Sequence, residues 1–464
     1  MIAPSLHPGP VRAAFEARSK FAFGLTGRTI GLLLVGFLGL IPGFWDARMA
    51  YSMPAWDLLV LLFAVLDGMR LPTARELTGV RTWSNAPALD SQTEIELTIE
   101  NHSGLIVECR LVDDLPAALV AIPETHLLTA FPRVPASVRY RVEPQERGDW
   151  ETGWLYLRYR SGLGLAERWA RAQLTQTVRV YPALRTGEEQ QIFLSRSRQI
   201  DLQLRQARLR GLGRDFESLR EYREGDDLRD ICWTATARRG GLITRQYQTE
   251  RSQAVWIVLD CGRLMRSRVR VGGGLTPHSK LDYACTTAVA LAQLALFSGD
   301  RVGLLAYGQS IQQRLLPGRG AAHLRQLIEC LAQVRAEGGE ADHLRATAAL
   351  NRLQPRRSLI LWVTDLAETA MRPEVIDGAV QLLRRHVLLF VAMAQPEVES
   401  IAQARPKNVE QMFRAAAAQE MAGRREVLLA RLHEHGALTL DLNPEALTSS
   451  VLNQYLAVKE RAMV

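Results

Sequence analysis

Two aspartates stand where an α/β protein keeps its chemistry. Asp260 closes the apolar run "AVWIVLD" and Asp365 closes "SLILWVTD". An unbroken apolar run reads as a strand buried on both faces, and ligands of a doubly wound sheet gather at the carboxyl ends of its strands. Paired carboxylates on such a rim can hold a hard cation such as Mg²⁺, which keeps several waters. The plainer alternative is a residual pair of strand-end carboxylates beside Arg263. A second cluster is "GRDFESLREYREGDDLRDICWTATARRGG", residues 213 to 241. Arg214, Arg220, Arg229, Arg238 and Arg239 crowd there around Tyr222 and Trp233, with Asp226 and Asp227 among them. Arginine and aromatic residues together are favoured at interface centres, so the cluster is a candidate docking surface. Its alternative is a connecting helix with solvated or paired arginines. Leu228, Ile231, Cys232 and Ala235 share one helical face, Asp226 or Asp227 can cap that helix, and Glu217, Arg220, Glu221 and Arg223 can pair at helical spacing. Carboxylates among arginines stay ionised and make poor general acids.

Other chemistries find little support. "GGGL" at residues 272 to 275 lacks the context of a phosphate loop, and neither GxSxG nor HExxH occurs. The five cysteines are scattered and odd in number, without ligand spacing, which points to reduced thiols. His102 and His126 are isolated loop residues. The net charge of +8 is spread out rather than run together, which argues against nucleic-acid binding and suits a protein lying against an anionic leaflet.

The elements that must position these residues fall into sections. "TIGLLLVGFLGLIPGFW", residues 29 to 45, carries no charge and sits at the short end of spanning length. "MPAWDLLVLLFAVL", residues 53 to 66, contains Asp57, and a span near 50 to 69 is expected with Tyr51 and Trp56 at its outer edge. Residues 29–69 therefore read as a two-helix membrane hairpin. Arg12, Arg18, Lys20 and Arg28 precede it and Arg70, Arg75 and Arg81 follow, so both ends face the cytoplasm. A cleaved signal peptide and a buried core hairpin are the competing readings; no small-residue cleavage site follows the first stretch. Residues 1–28 form a cytoplasmic segment. Residues 78–183 alternate in the period of strands, as in "SQTEIELTIEN", and predict an immunoglobulin-like β-sandwich. Residues 184–253 connect, and residues 254–464 alternate strands and helices as a doubly wound, mainly parallel α/β domain.

The stretches "LREYREGDDLRDICWTATAR", "VLDCGRLM", "KLDYACTTAVALAQLALFSGDRVGLLAYG", "SLILWVTDL" and "LNQYLAVK" resemble the bacterial family called domain of unknown function 58. The resemblance extends over most of the chain. It implies a von Willebrand factor A-like C-terminal half, a MoxR-type AAA+ ATPase as partner, and a metal-ion-dependent adhesion site. That site's first loop reads DxSxS, where this chain has Asp260, Cys261, Gly262, Arg263 and Leu264. No threonine stands in "EGGEADH", residues 337 to 343, where the second loop falls; Asp365, beside Thr364, matches the third. The expectation is thus no cofactor, or a weakly bound Mg²⁺ at Asp260 and Asp365. The expected function is a non-enzymatic, membrane-anchored adaptor or substrate-presenting partner of the ATPase, with an unknown client, at the bacterial inner membrane. The alternative is a metal-dependent enzyme using Asp260 and Asp365.

Overall fold

In this computed structural model, residues 8–17, 23–44, 51–183, 192–197, 199, 215–222, 231–248, 253–269, 277–366 and 374–461 are described. The chain divides into two compact units, Met1–Ala183 and Leu184–Val464.

The first unit opens with strands β1 (Val11–Ala14), β2 (Glu16–Ala17) and β3 (Phe23–Leu25). Helix α1 (Gly27–Gly36) runs into a 3-10 helix (Phe37–Phe44), and α2 (Ser52–Arg70) follows. Then come β4 (Leu77–Trp83), β5 (Thr93–Asn101), β6 (Val107–Asp113), β7 (Leu119–Ile122), β8 (Thr125–Ala130), β9 (Ala136–Pro144), β10 (Gly148–Arg160) and β11 (Ala166–Val180). They form two sheets, ordered β1-β4-β5-β9-β7 and β2-β11-β10-β6-β8, with β3 also on β11. Alternate residues of β5 are buried, as a strand with one face on a core requires. Both sheets feed one apolar cluster: Trp83, Ile95, Leu97 and Ile99 from the first, Leu111, Leu155 and Leu157 from the second.

Residues 11–14, 16–17 and 23–25, inside the stretch expected as an N-terminal segment, pair with the sheets of this unit. Val11, Ala13 and Phe15 alternate in the strand period; β1 pairs antiparallel with β4, and Phe15 is fully buried in the core. Arg81, expected among the charges flanking the membrane, lies fully buried on β4. Its Nε donates to Asp113 Oδ2 at 3.0 Å, and its Nη1 to Thr152 Oγ1 at 2.8 Å and the Leu174 carbonyl at 2.7 Å. That burial removes it from any count of surface charge.

Among the described residues, α2 alone is long and apolar enough to cross a membrane, with 19 residues and mean hydropathy 1.5. The two-span expectation is not met by helix length, because α1 ends at Gly36 and continues as a 3-10 helix. Trp56 Nε1 donates to the Leu32 carbonyl at 2.9 Å, and Ser52 Oγ to that of Gly39 at 2.7 Å, so the two segments lie side by side. The loop before β11 grips both ends of this region. Thr26 Oγ1 donates to the Gly164 carbonyl, while Asp67 accepts from Ser161 Oγ at 2.6 Å and from the backbone N–H of Leu165 and Ala166 at 3.1 Å each.

The second unit holds β12 (Asp215–Glu221), α3 (Trp233–Arg239) and β13 (Ile243–Gln248), then β14 (Ala254–Asp260), β15 (Arg268–Val269), β16 (His278–Ser279) and α4 (Lys280–Phe297). It continues with β17 (Arg301–Tyr307), β18 (Ile311–Gly318), α5 (Gly320–Gln333), α6 (His343–Leu353), β19 (Leu359–Thr364) and α7 (Glu374–Leu383). Last are β20 (Val387–Met393), α8 (Pro396–Gln403), α9 (Val409–Glu434), β21 (Leu438–Leu442) and α10 (Pro444–Glu460). The main sheet has the order β18-β17-β14-β19-β20-β21. It is parallel except at β18, which pairs antiparallel with β17. Every residue of β14, β19 and β20 is buried, which accounts for their unbroken apolar sequences.

Candidate functional site at the carboxyl ends of β14 and β19

From β14 the chain steps outward through β17 to β18, then returns to place β19 on the other side of β14. The gap between β14 and β19 is the point where strand order reverses, and crevices open outside such points. Asp260 is the last residue of β14, and Asp365 follows the last residue of β19. The fold thus brings the two expected carboxylates to neighbouring strand ends, both nearly inaccessible at 4% and 1%.

Asp260 folds its loop back on itself. Its Oδ1 accepts the Gly262 N–H at 2.7 Å, and its Oδ2 accepts the Thr364 hydroxyl at 2.6 Å. Burial pushes its pKa up from 3.8 to about 6; the two hydrogen bonds oppose the rise and the charge of Asp365 adds to it. Gly262 is favoured by space: a Cβ there would meet the Ala341 backbone nitrogen at 3.0 Å. The glycine marks a close approach of two loops, where a serine would fit only if the facing loop gave way by a few tenths of an ångström. That second loop is tied to the first by backbone hydrogen bonds. Its Glu337 N–H donates to the Cys261 carbonyl at 2.7 Å, and the Arg263 N–H donates to the Gly339 carbonyl at 2.8 Å.

Asp365 is held by residues the sequence reading did not select. Lys280 Nζ donates to its Oδ2 at 2.5 Å, with the lysine side chain 2% exposed. Gln395 Nε2 reaches both carboxylate oxygens at 3.1 Å. Arg425 Nη1 stands 4.0 Å from Oδ1, while the rest of its guanidinium grips Asp441 at 2.5 and 3.0 Å. One signal for Lys280 was available. It is the first residue of α4, between the capping pair Ser279 and Asp282, and the positive end of a helix dipole disfavours a cation. A lysine there asks for a carboxylate. The cation expected beside the pair was Arg263, which is exposed instead.

These groups do not fit a resident divalent ion. Among the described residues no set of three or more histidine, cysteine, aspartate or glutamate side chains gathers in metal-binding geometry. What faces the two carboxylates is a ring of donors: an amide N–H, a hydroxyl, an ammonium and a side-chain amide. A cavity of about 470 Å³ adjoins the site, lined by Gln395, Glu399, Gln419, Met421, Arg425 and Asp441 among others.

The second candidate cluster is only partly described. Arg214, Asp226, Asp227 and Arg229 lie outside the described residues, as does Leu228. Residues 215–221 form a strand paired antiparallel with β13, where the sequence suggested helical charge pairs. A bulge between Phe216 and Ser218 interrupts the pairing. Ile231 bridges Thr244, and the helix starts only at Trp233, with Cys232 as its N-cap. Arg220 lies on β12 and Tyr222 directly after it, while Trp233 and Arg238 lie on α3. Tyr222 N–H donates to the Leu242 carbonyl at 2.9 Å, and Trp233 is 65% exposed.

Residues 218–412 match the family described as "Protein of unknown function DUF58". This DUF58 segment contains both carboxylates, Lys280 and Gln395, and stops short of the N-terminal unit that the resemblance had taken in. Uncharacterized proteins of Mycobacterium tuberculosis and Mycobacterium bovis are 27% identical over 190 residues, covering 40% of this chain. The match spans only 56% of those relatives' own length. Among solved structures, the conserved hypothetical protein BatB from Bacteroides thetaiotaomicron covers 45% of this chain and 100% of its own, at 13% identity and TM-score 0.29. An uncharacterized membrane spanning protein from Vibrio fischeri covers 44% of this chain and 96% of its own, at 13% identity and TM-score 0.18. At those TM-scores neither likeness carries an argument.

Proposed function

We propose that this chain is a membrane-anchored protein-interaction module, an adaptor or substrate-presenting partner of a MoxR-type AAA+ ATPase in assembly or maturation of protein complexes. The carrying observation is the state of the sheet-end site. Every oxygen of Asp260 and Asp365 already accepts from a donor of the same chain, an arrangement that fixes both carboxylates in place and supports a binding role over a catalytic one on this reading. The ATPase is implied by the family resemblance. Its docking surface on this reading is the exposed Trp233 with Arg220, Tyr222 and Arg238, the residue types that dominate interface energetics.

The anchor is the region from Thr26 to Arg70, read as a hairpin that crosses the bacterial inner membrane twice. Both its ends are fastened to the loop 161–166, so a chain that leaves must come back. At 1.5 Å and 2.0 Å per residue, α1 and the 3-10 helix together reach about 30 Å, the thickness of a bilayer core. Leu58, Leu62, Phe63 and Met69 of α2 are exposed, as lipid-facing residues are. Exposed Arg28 and Arg70 at the two fastened ends favour a cytoplasmic position for both units. The two-sheet unit is read as an immunoglobulin-like sandwich, and the main sheet of the second unit, with its antiparallel β18, as von Willebrand factor A-like. Affinity capture of the tagged full chain from native membranes, with and without ATP, tests the reading. Nucleotide-dependent recovery of a AAA+ ATPase supports it; capture without any ATPase overturns it.

A further inference from the structure

We infer that Lys280 is a built-in cation: its ammonium neutralises Asp365 at the carboxyl end of β19, taking the charge-compensating role a divalent metal would otherwise fill, and the native protein holds no such ion there. The oxygen set at these strand ends, two carboxylates and the Thr364 hydroxyl, is of the hard kind that suits Mg²⁺ or Mn²⁺. Two carboxylates buried side by side need a compensating positive charge. The chain supplies it from α4, with Lys280 Nζ 2.5 Å from Asp365 Oδ2 and the two side chains 2% and 0% exposed. Arg425, whose Nη1 lies 4.0 Å from Asp365 Oδ1, adds a second positive group.

The remaining geometry points the same way. Gly262 N–H, the Thr364 hydroxyl and the Gln395 amide aim protons at the carboxylates, occupying lone pairs that a metal needs. Thr364 donates its hydroxyl proton to Asp260 at 2.6 Å, which ties the two strand ends together without a metal. A Cβ at position 262 would press on the Ala341 backbone nitrogen at 3.0 Å, so regaining a hydroxyl ligand there requires the facing loop to give by a few tenths of an ångström. The consequence is a rim of fixed charge, whose contacts with a partner do not respond to chelators.

Mn²⁺ titration of the detergent-solubilised full chain, followed by calorimetry and by loss of the free-ion paramagnetic signal, tests this. Wild type stays silent through the millimolar range. Lys280→Ser gains saturable binding at least about tenfold tighter, the response to ~1.4 kcal/mol of relieved repulsion, and Asp365→Asn in the same background abolishes it. Melting Lys280→Ser with rising Mn²⁺ gives a second reading, because an ion that binds the folded state raises Tm. Saturable wild-type binding lost in Asp260→Asn overturns the inference, and this arm stands even where Lys280→Ser does not fold. A Lys280→Ser protein that folds and binds Mn²⁺ no better than wild type overturns it equally.

Discussion

Asp260 is charged at neutral pH against the grain of its surroundings, and replacing it by asparagine makes the cost measurable. Its pKa rises from 3.8 to about 6 because the carboxyl is 4% exposed. The folded protein therefore keeps this proton in a window where the unfolded chain has lost it. Stability falls as pH climbs from 3.8 through about 6, and the cost is complete above that. At ~1.36 kcal/mol per pH unit of displacement the cost is about 3 kcal/mol. Asparagine keeps the shape, offers an oxygen to the Gly262 N–H, and can donate its amide to Thr364. Urea unfolding of the full chain in detergent, followed through the buried Trp256 and Trp362, reads the second unit. The stability of Asp260→Asn minus that of wild type should climb by about 3 kcal/mol between pH 4 and pH 7 and then level off. Parallel profiles for the two proteins refute the electrostatic account of this site.

Three further outcomes follow from other buried groups. Arg81→Met leaves Asp113, whose side chain is 1% exposed, without its guanidinium; denaturant unfolding should show a loss of ~3–5 kcal/mol, largely regained when Asp113→Leu is added. Asp67→Ala strips the acceptor from the Leu165 and Ala166 N–H groups, and should cost ~1–3 kcal/mol per unsatisfied group and speed amide exchange at those positions. His343, whose pKa burial lowers from 6.5 to about 4, is held neutral against Tyr307, whose hydroxyl lies 2.8 Å from Nδ1. The unfolded chain binds this proton more readily, so stability drops as pH falls from 6.5 through about 4, and His343→Phe should flatten that acid limb.

The second unit was legible because its strands are apolar without interruption and its helices are long. Residues such as Val255 to Asp260 and Leu359 to Thr364 state their burial in composition alone, and their terminal aspartates mark the rim. The edge strand Ile311–Gly318 escaped, since "IQQRLLPG" has neither alternation nor an apolar run, and an edge strand needs only one paired side. Strands β1 to β3 escaped because they are two to four residues long, below the length at which a period can be counted. At the site, Asp260, Thr364 and Asp365 were visible as strand ends. Lys280, Gln395 and Arg425 arrive from the start of α4, the N-cap of α8 and α9; only the helix-start position of Lys280 hinted at a carboxylate partner, and the tertiary fold sets all three beside Asp365. Residues 215–221 misled because Glu217, Arg220 and Glu221 sit at spacings that suit helical ion pairs, while the segment forms a strand paired with β13.

The central claim is that the chain works by holding a partner at the membrane through the β12–β13 hairpin and α3, with no bond made or broken at the sheet ends. The most direct measurement compares ATPase capture by three full-length proteins in native membranes: wild type, Asp260→Asn, and Arg220→Glu combined with Trp233→Ala and Arg238→Glu. Trp233 is 65% exposed and Arg238 is also exposed, so the triple variant should melt with wild type. The account predicts full capture by wild type and Asp260→Asn and none by the triple variant. Undiminished capture by the triple variant, or loss of capture in Asp260→Asn alone, contradicts it.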